Sequence, residues 1–406
     1  MWDVVVVGGG PVGLLLAAEV RGAGASVVVL EQGDGKEPAP DEDGDRGLQA
    51  GTLRMLAERG LLEEVLRRAE ATDGPAIADF DGDPGDGAPA DIAELVRSWG
   101  SRRLKGHFAM LPLLDRDGTL DDVPVQREVW QGRLVAVLAD HARRLGVEIR
   151  HHCEVVEVRD TGTEVHASLA DGSRVTGRWG AGCDGARGVV GRAPGFAFDD
   201  VDPAMVVLMG EPTLEGPALL TPGVHRTPGG IMFVNPPPGE LVVAEFGRPA
   251  EAWRGPVTTE EFTAALRRVS GSPDVRVADL RRAVRVTDHT RLARDYRSGR
   301  LLLAGDAAHL HSPMGGQGLN LGLHDAMDLG TPLAAVATGR SAEPVLNGYT
   351  ERRHPIAARV LRDTRAQSAL LRTDRHSADL REVMAELIEL PEVKRHLAGL
   401  VAGTIR

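Results

Sequence analysis

Only two cysteines occur, Cys153 and Cys183, and their spacing fits neither a disulfide framework nor a zinc site nor a redox-active pair. A reducing, cytoplasmic setting is the compartment this implies. Basic clusters are missing too: 59 acidic residues against 47 basic ones give a formal net charge of −12, which argues against a nucleic-acid-binding face. Lysine is nearly absent, with Lys36, Lys105 and Lys394 the only three among those 47 basic residues, a bias that points to coding composition rather than mechanism. No apolar run is long enough to cross roughly 30 Å of hydrocarbon. The nearest, Val4 to Val20, is broken by Gly8-Gly9-Gly10-Pro11 and follows no basic stretch, so it is read as neither a membrane span nor a signal peptide. His309, His311 and His324 lack the carboxylate spacing of a ligand triad, and no metal is expected.

What the chain does have is bulk: 406 residues at 42% hydrophobic composition are enough for a large core and two domains. Val4-Val5-Val6-Val7 reads as a strand buried on both faces. Gly8-Gly9-Gly10-Pro11-Val12-Gly13 follows, then a helical run Leu14 to Arg21 and a second β-branched strand, Ser26 to Leu30, ending on Glu31. This order of strand, glycine-rich turn, helix, strand and acid is the context of a dinucleotide fingerprint. Gly8 and Gly10 let the backbone turn and approach a pyrophosphate, Gly13 lets the helix pack close to the strand, and Glu31 is spaced to accept from a ribose diol. NAD and FAD share this unit, so it leaves both open.

The far end of the chain separates them. Arg300-Leu301-Leu302-Leu303-Ala304-Gly305-Asp306-Ala307-Ala308-His309 is followed by Pro313-Met314-Gly315-Gly316-Gln317-Gly318-Leu319-Asn320. With Gly182-Cys183-Asp184-Gly185-Ala186-Arg187, these segments resemble the second and third signatures of the FAD-dependent aromatic hydroxylases, the family of p-hydroxybenzoate hydroxylase. Thr287-Asp288-His289-Thr290-Arg291 to Gly330, and Tyr349 to Ser368 with Arg353-His354-Pro355 inside it, are similar more narrowly to the hydroxylases of aromatic polyketide pathways, of the angucycline and anthracycline type.

The resemblance implies FAD as cofactor and NAD(P)H as a transient co-substrate, since no second GxGxxG unit is present. It extends the fingerprint contacts from Gly8, Gly10, Pro11, Val12, Gly13 and Glu31 to Gln32, Arg46 and Gln131. Asp184 is expected near the phosphates or the NAD(P)H route, and Gly305 with Asp306 at the ribityl chain. Pro313, Gly316, Gly318, Leu319 and Asn320 are expected along the isoalloxazine, where a helix over Leu319 to Leu329 offers its N-terminus to a reduced flavin's negative charge. No residue is singled out as catalytic. His309 belongs to the motif and is read as structural, and Cys183 as small-residue packing rather than a nucleophile.

The implied fold is α/β: a Rossmann-like FAD domain of the glutathione-reductase βαβ type over 1–75, 102–195 and 286–406, with an inserted α+β substrate domain on a mixed or antiparallel sheet over 76–101 and 196–285. Within the insert, Ile231 to Val234 and Leu241 to Phe246 read as strands joined by 235–239, and Thr258 with Glu261 is spaced as the capping box of a helix. The implied activity is hydroxylation of an aromatic, polyketide-like ring with NAD(P)H and O2 through a flavin C4a-hydroperoxide, with the cofactor carrying the chemistry. Epoxidation or Baeyer–Villiger oxidation on the same scaffold remains open, as does an FAD-bound reductase or partner protein without oxygenase turnover. The lack of a Trp-x-Trp-x-Ile-Pro segment argues against a flavin halogenase. Two departures from the polyketide hydroxylases stand out: Asp328-Leu329-Gly330-Thr331-Pro332-Leu333, where Pro332 is expected to break or restart the helix, and a sequence that stops at Arg406, for which no thioredoxin-like domain is expected.

Overall fold

The computed structural model describes residues 1–37, 45–69, 107–113, 119–120, 123–124, 126–215, 220, 223–234, 240–247, 255–312 and 314–404. The expectations placed on Pro313, on 76–101 and on the 235–239 connection lie outside the described residues.

Strand β1 (Trp2–Val7), helix α1 (Pro11–Gly22) and strand β2 (Val27–Leu30) make the first βαβ unit. Val4 to Val7 and Val27 to Leu30 are buried without alternation, the pattern of parallel strands covered on both faces. Next in the chain are β3 (Asp45–Gln49), α2 (Ala50–Glu58), α3 (Leu62–Ala69), β4 (Gln126–Trp130), α4 (Gln131–Arg144) and β5 (Glu148–Arg150). An antiparallel meander follows, of β6 (Val155–Asp160), β7 (Val165–Leu169) and β8 (Arg174–Gly182).

A second group comprises β9 (Met205–Glu215), β10 (Gly223–Thr227), β11 (Gly230–Val234), β12 (Leu241–Phe246), α5 (Thr259–Ser270) and β13 (Arg276–Thr287). The chain then returns to the first sheet with β14 (Leu301–Leu303) and closes with α6 (Gln317–Ala337), α7 (Asn347–Leu371), α8 (Arg375–Ile388) and α9 (Pro391–Val401). The first sheet runs β5-β2-β1-β8-β14 in parallel. The meander attaches to the start of β8, whose Gly180 to Gly182 pair with β14.

The second sheet, in the order β10-β11-β12-β9-β13, is antiparallel throughout. Alternate residues of β9 therefore face opposite ways. Val206 and Leu208 join the cluster under α5 with Phe262 and Leu266, whereas Met205 and Val207 join a different cluster, with the hairpin at His107–Phe108 and Leu111–Pro112 and with Leu370 and Leu371 of α7.

Helix α5 starts at Thr258, whose Oγ1 accepts from Glu261 N at 3.2 Å, as the spacing predicts. The Glu261 carboxylate is turned to Arg285, so it ties the helix to β13 rather than closing a reciprocal box. Pro332 corrects the sequence reading outright: α6 passes through it without interruption. Pro332 lies on the half-exposed side, where the Asp328 carbonyl that loses its partner can be hydrated, while Leu329 and Leu333 hold the opposite face in the core.

Candidate functional site

The glycines of the fingerprint differ in why they are glycine. Gly8 ends β1 at φ +103°, and a Cβ there would lie 2.3 Å from the Cys183 carbonyl oxygen. At Gly13 a Cβ would lie 2.0 Å from the Gly8 oxygen. Three segments converge on these two positions, the end of β1, the first turn of α1 and the residue after β8, which leaves no room for a side chain. Gly10 is the opposite case. It has an ordinary φ of −71°, and a Cβ would meet nothing within 4 Å. The chain itself does not require glycine there, and the open space lies at the uncapped start of α1. Pro11 occupies the first helical position and the first intrahelical bond runs from Leu14 N to Gly10 O at 3.0 Å, so the amides of Val12 and Gly13 have no intrahelical acceptor. A glycine backbone open in front of a positive helix end is a cradle shaped for a phosphate group.

From this turn a cleft of about 700 Å³ opens, lined among others by Gly9, Gly10, Glu31, Arg46 and Gln131. The sequence places these residues up to 122 positions apart in the chain, and the fold puts them on one wall or another of the same space. Glu31 is already oriented: its Oε2 accepts from Gly9 N at 2.6 Å and its Oε1 from Gly33 N at 2.7 Å. Gln32 is exposed and is not among the residues lining the cleft.

Val12 links this end to the second signature. A Cβ at Gly305, where φ is +64°, would come within 3.1 Å of Val12 Cγ2, and one at Gly322 of α6 within 2.7 Å of the same atom. Asp306 follows in a short turn and is exposed, with its Oδ1 3.8 Å from the position of a Cβ on Gly318. Gly316 caps α6 in the left-handed region at φ +59°, and Leu319 in the first turn packs partly into the main core. Asn320 has its side chain fully engaged with the backbone: Oδ1 accepts from Gln49 N at 2.9 Å, and Nδ2 donates to Gly47 O at 2.8 Å and Gly316 O at 3.0 Å. It clips β3 to the start of α6, which leaves only its main chain to face a ligand. Asp184 likewise turns inward: Oδ2 accepts from Val189 N at 2.6 Å and Val190 N at 3.0 Å, and burial raises its carboxyl above the usual range. Oδ1 is buried with no partner among the described residues.

A buried ionic knot behind Gly305 carries no signal in the glycine motifs. Asp325 of α6 is fully buried; its Oδ2 accepts from Gly305 N at 3.0 Å and from His309 Nε2 at 2.5 Å, and its Oδ1 from Arg353 Nε at 2.7 Å. Burial alone would raise this carboxyl, but the charges and hydrogen bonds of His309 and Arg353 outweigh it and hold it down to about 2. His309, fully buried, is thus a structural histidine, as its place in the motif suggested. Arg353 also donates to Leu321 O at 3.1 Å, and Tyr349 OH to Leu303 O at 2.9 Å. The knot fixes the turn that presents Asp306. A buried aspartate one turn before Asp328, and an arginine beside His354, could not be paired from spacing alone.

A separate apolar cluster lies on the antiparallel sheet. Met205, Val207, Ile231 and Ala244 of the antiparallel sheet meet Phe108 and Met110 of the hairpin, and Met314, from the second of the two C-terminal segments, packs on the same cluster. Among the described residues no group of histidine, cysteine and carboxylate could hold a metal ion, and no helix is long and apolar enough to cross a membrane. Burial pushes the Cys183 thiol up, so it is no thiolate nucleophile.

A family described as an FAD binding domain matches residues 1–364. A rifampicin monooxygenase of Streptomyces venezuelae is 37% identical over 98% of this chain and 77% of its own length. The solved anhydrotetracycline hydroxylase of Streptomyces rimosus superposes with a TM-score of 0.80 at 34% identity, covering 100% of this chain and 76% of that one. A solved Diels-Alderase of pyrroindomycin biosynthesis has the same architecture, with a TM-score of 0.79, 32% identity and coverage of 98% and 80%. With a family match over residues 1–364 and more than a third of its residues shared with a monooxygenase across nearly its whole length, this chain belongs to the FAD-binding domain family and is a flavin-dependent monooxygenase of the aromatic hydroxylase type.

Proposed function

We propose that this chain hydroxylates a polycyclic aromatic compound of polyketide type, held between the antiparallel sheet and the segment that carries Met314. The observation that carries the reading is the continuity of the site. Val12 packs against both Gly305 and Gly322, which brings the phosphate cradle close to the Asp306 turn, and Met314 packs on the apolar cluster; these contacts support reading the three as parts of one extended binding surface. The domain boundaries follow the same division, with 1–75, 102–195 and 286–406 for the cofactor and 76–101 and 196–285 for the substrate.

Bound FAD supplies the redox chemistry, taking a hydride from NAD(P)H and activating O2. The chain's own residues do the rest. The free amides at the head of α1 hold the pyrophosphate, with Arg46 adding positive charge and Gln131 a polar contact in the same cleft. Glu31, anchored by Gly9 and Gly33, keeps lone pairs for a ribose diol. Asp306 accepts from the ribityl chain, and the first turn of α6 at Gly316, Gly318, Leu319 and the Asn320 main chain lies beside the ring. Asp184 holds the turn at Val189 and Val190 next to the cradle. The apolar cluster excludes water from the ring that is to be oxidised, which protects the oxidant from hydrolysis.

The test is anaerobic reduction of the yellow protein by NADPH and by NADH with a panel of polycyclic phenols, followed by labelled O2. Faster reduction with one phenol and one labelled oxygen atom in its product support the reading. Consumption of NAD(P)H with release of hydrogen peroxide alone, for every compound, removes it. A second reading rests on the Diels-Alderase neighbour: the same scaffold can be named for a cyclisation that needs no oxygen. A substrate converted at unchanged mass, with no oxygen label, would favour that outcome.

A further inference from the structure

Gln367 of α7 is fully buried, and one end of its amide is committed while the other is not. Its Oε1 accepts from Ala109 N at 3.1 Å. Because the partner is an N–H, the orientation of the amide is fixed, with oxygen toward the hairpin and nitrogen away from it. The Nε2 atom is buried and has no hydrogen-bond partner among the described residues. A buried NH2 group with two protons and no acceptor is costly, and native structures keep such groups where something else completes them.

The surroundings indicate what that is. Leu370 and Leu371, one turn further along α7, belong to the apolar cluster with Phe108, Ala109 and Met110. The neighbouring Ser368 donates to Ser312 Oγ at 3.3 Å, and two residues beyond Ser312 the chain reaches Met314, which packs on the same cluster. Gln367 therefore sits where the ring-lining segment meets the apolar face. The turn it holds is strained: Ala109 and Met110 have φ of +51° and +70°, and neither is glycine. Strain of this kind persists where the surrounding structure demands it, at ligand clamps among other places.

We propose that Gln367 Nε2 is the hydrogen-bond donor that orients the substrate, taking a ring carbonyl oxygen as its acceptor. This rests on the reading that the apolar cluster receives the substrate. An apolar pocket grips a flat polycycle without choosing among its in-plane orientations. One fixed donor selects the orientation that pairs a particular oxygen, and with it the ring carbon that is presented for attack. A polycycle lacking that oxygen leaves the donor unpaired and binds less well.

The experiment measures, by calorimetry on the FAD-loaded protein without NAD(P)H, the binding of two bicyclic phenols that differ in one ketone: 5-hydroxy-1-tetralone and 5,6,7,8-tetrahydro-1-naphthol. The wild type is expected to favour the ketone by about tenfold. In Gln367→Met that preference disappears, while the tetrahydronaphthol affinity stays within about threefold. If the variant weakens both compounds equally, or keeps the preference, Gln367 only holds the hairpin and the inference is overturned. If the wild type binds both equally, the inference falls while the cluster stands as the ligand site; if it binds neither, both readings fall. Should Gln367→Met not fold, Gln367→Glu at alkaline pH carries the same test, since it keeps an oxygen for Ala109 N and replaces the donor with a carboxylate; it must weaken the ketone more than the tetrahydronaphthol.

Discussion

The glycine-lined cleft and the apolar face solve opposite problems. In the cleft, in the reading proposed above, recognition falls to backbone: Gly8 and Gly13 are glycine because three segments touch, whereas at Gly10 the chain itself leaves room for a side chain. On the apolar face, in the reading proposed above, recognition falls to side chains drawn from a hairpin, four strands of a sheet and three C-terminal helices, none of which forms a contiguous motif. A grip on a constant cofactor can be fixed by main-chain geometry, while a grip on a variable substrate is carried by scattered residues that can change without disturbing it. Gly13→Ala attacks the first region at its tightest point. A Cβ 2.0 Å from the Gly8 oxygen forces α1 off the sheet, and we expect about 4 kcal/mol of lost stability and colourless, FAD-free protein. Thermal melting and the flavin spectrum check it, and a yellow variant of unchanged stability would refute the claim that this approach is rigid.

Asp325→Asn tests whether the cleft depends on the knot behind it. Leaving His309 and Arg353 without their buried carboxylate is expected to cost about 3 kcal/mol and to lower FAD retention through the Gly305 turn. The pH dependence has a defined sign. The folded Asp325 carboxyl titrates near 2, below its ordinary 3.8, so its contribution is present above 3.8 and is lost as pH falls toward 2. The stability gap between wild type and variant in urea unfolding should accordingly narrow through that acid window. A gap that widens in acid would mean the pair is not ionised as described.

These two cases also mark what the sequence could and could not disclose. The fingerprint, the capping Thr258 and the start of α6 were legible because each depends on residues within one turn or one strand. Asp325 was not, because its partners His309 and Arg353 lie 16 and 28 positions away on other elements. Pro332 was misjudged because the rule against proline weighs one lost hydrogen bond, while the buried faces of Leu329 and Leu333 weigh more in a packed helix. Asn320 was found but its side chain was not foreseen as a clip to Gly47 and Gln49, since β3 lies 271 positions upstream.

Gly10→Ala separates the chain's own needs from those of the cofactor. The backbone there is compatible with alanine and the added methyl meets nothing within 4 Å, so stability of the FAD-free protein should be unchanged or raised by about 0.5 kcal/mol. The same methyl enters the phosphate cradle, and FAD affinity should fall at least about tenfold, a loss of roughly 1.4 kcal/mol. Fluorescence titration of the apoprotein with FAD reads the second effect and melting of the apoprotein the first. Unchanged affinity would move the pyrophosphate elsewhere.

The smallest effect is expected where the two regions join. His311 donates from Nδ1 to Ser312 O at 2.6 Å, and its Nε2 is buried beside the first turn of α6, 3.4 Å from where a Cβ on Gly318 would lie, with no partner among the described residues. Burial lowers its basicity, and the neighbouring His309 works in the same direction. The folded protein thus resists a proton that the unfolded chain accepts near the ordinary value of 6.5, so stability falls as pH drops below that value. His311→Gln removes the titrating group while keeping a polar side chain, and should flatten this decline by about 1 kcal/mol or less. A decline of unchanged slope would assign it to other histidines. A decline that steepens would mean that a cation is stabilised at this junction, and that the first turn of α6 meets the apolar face through charge rather than through a neutral, buried ring.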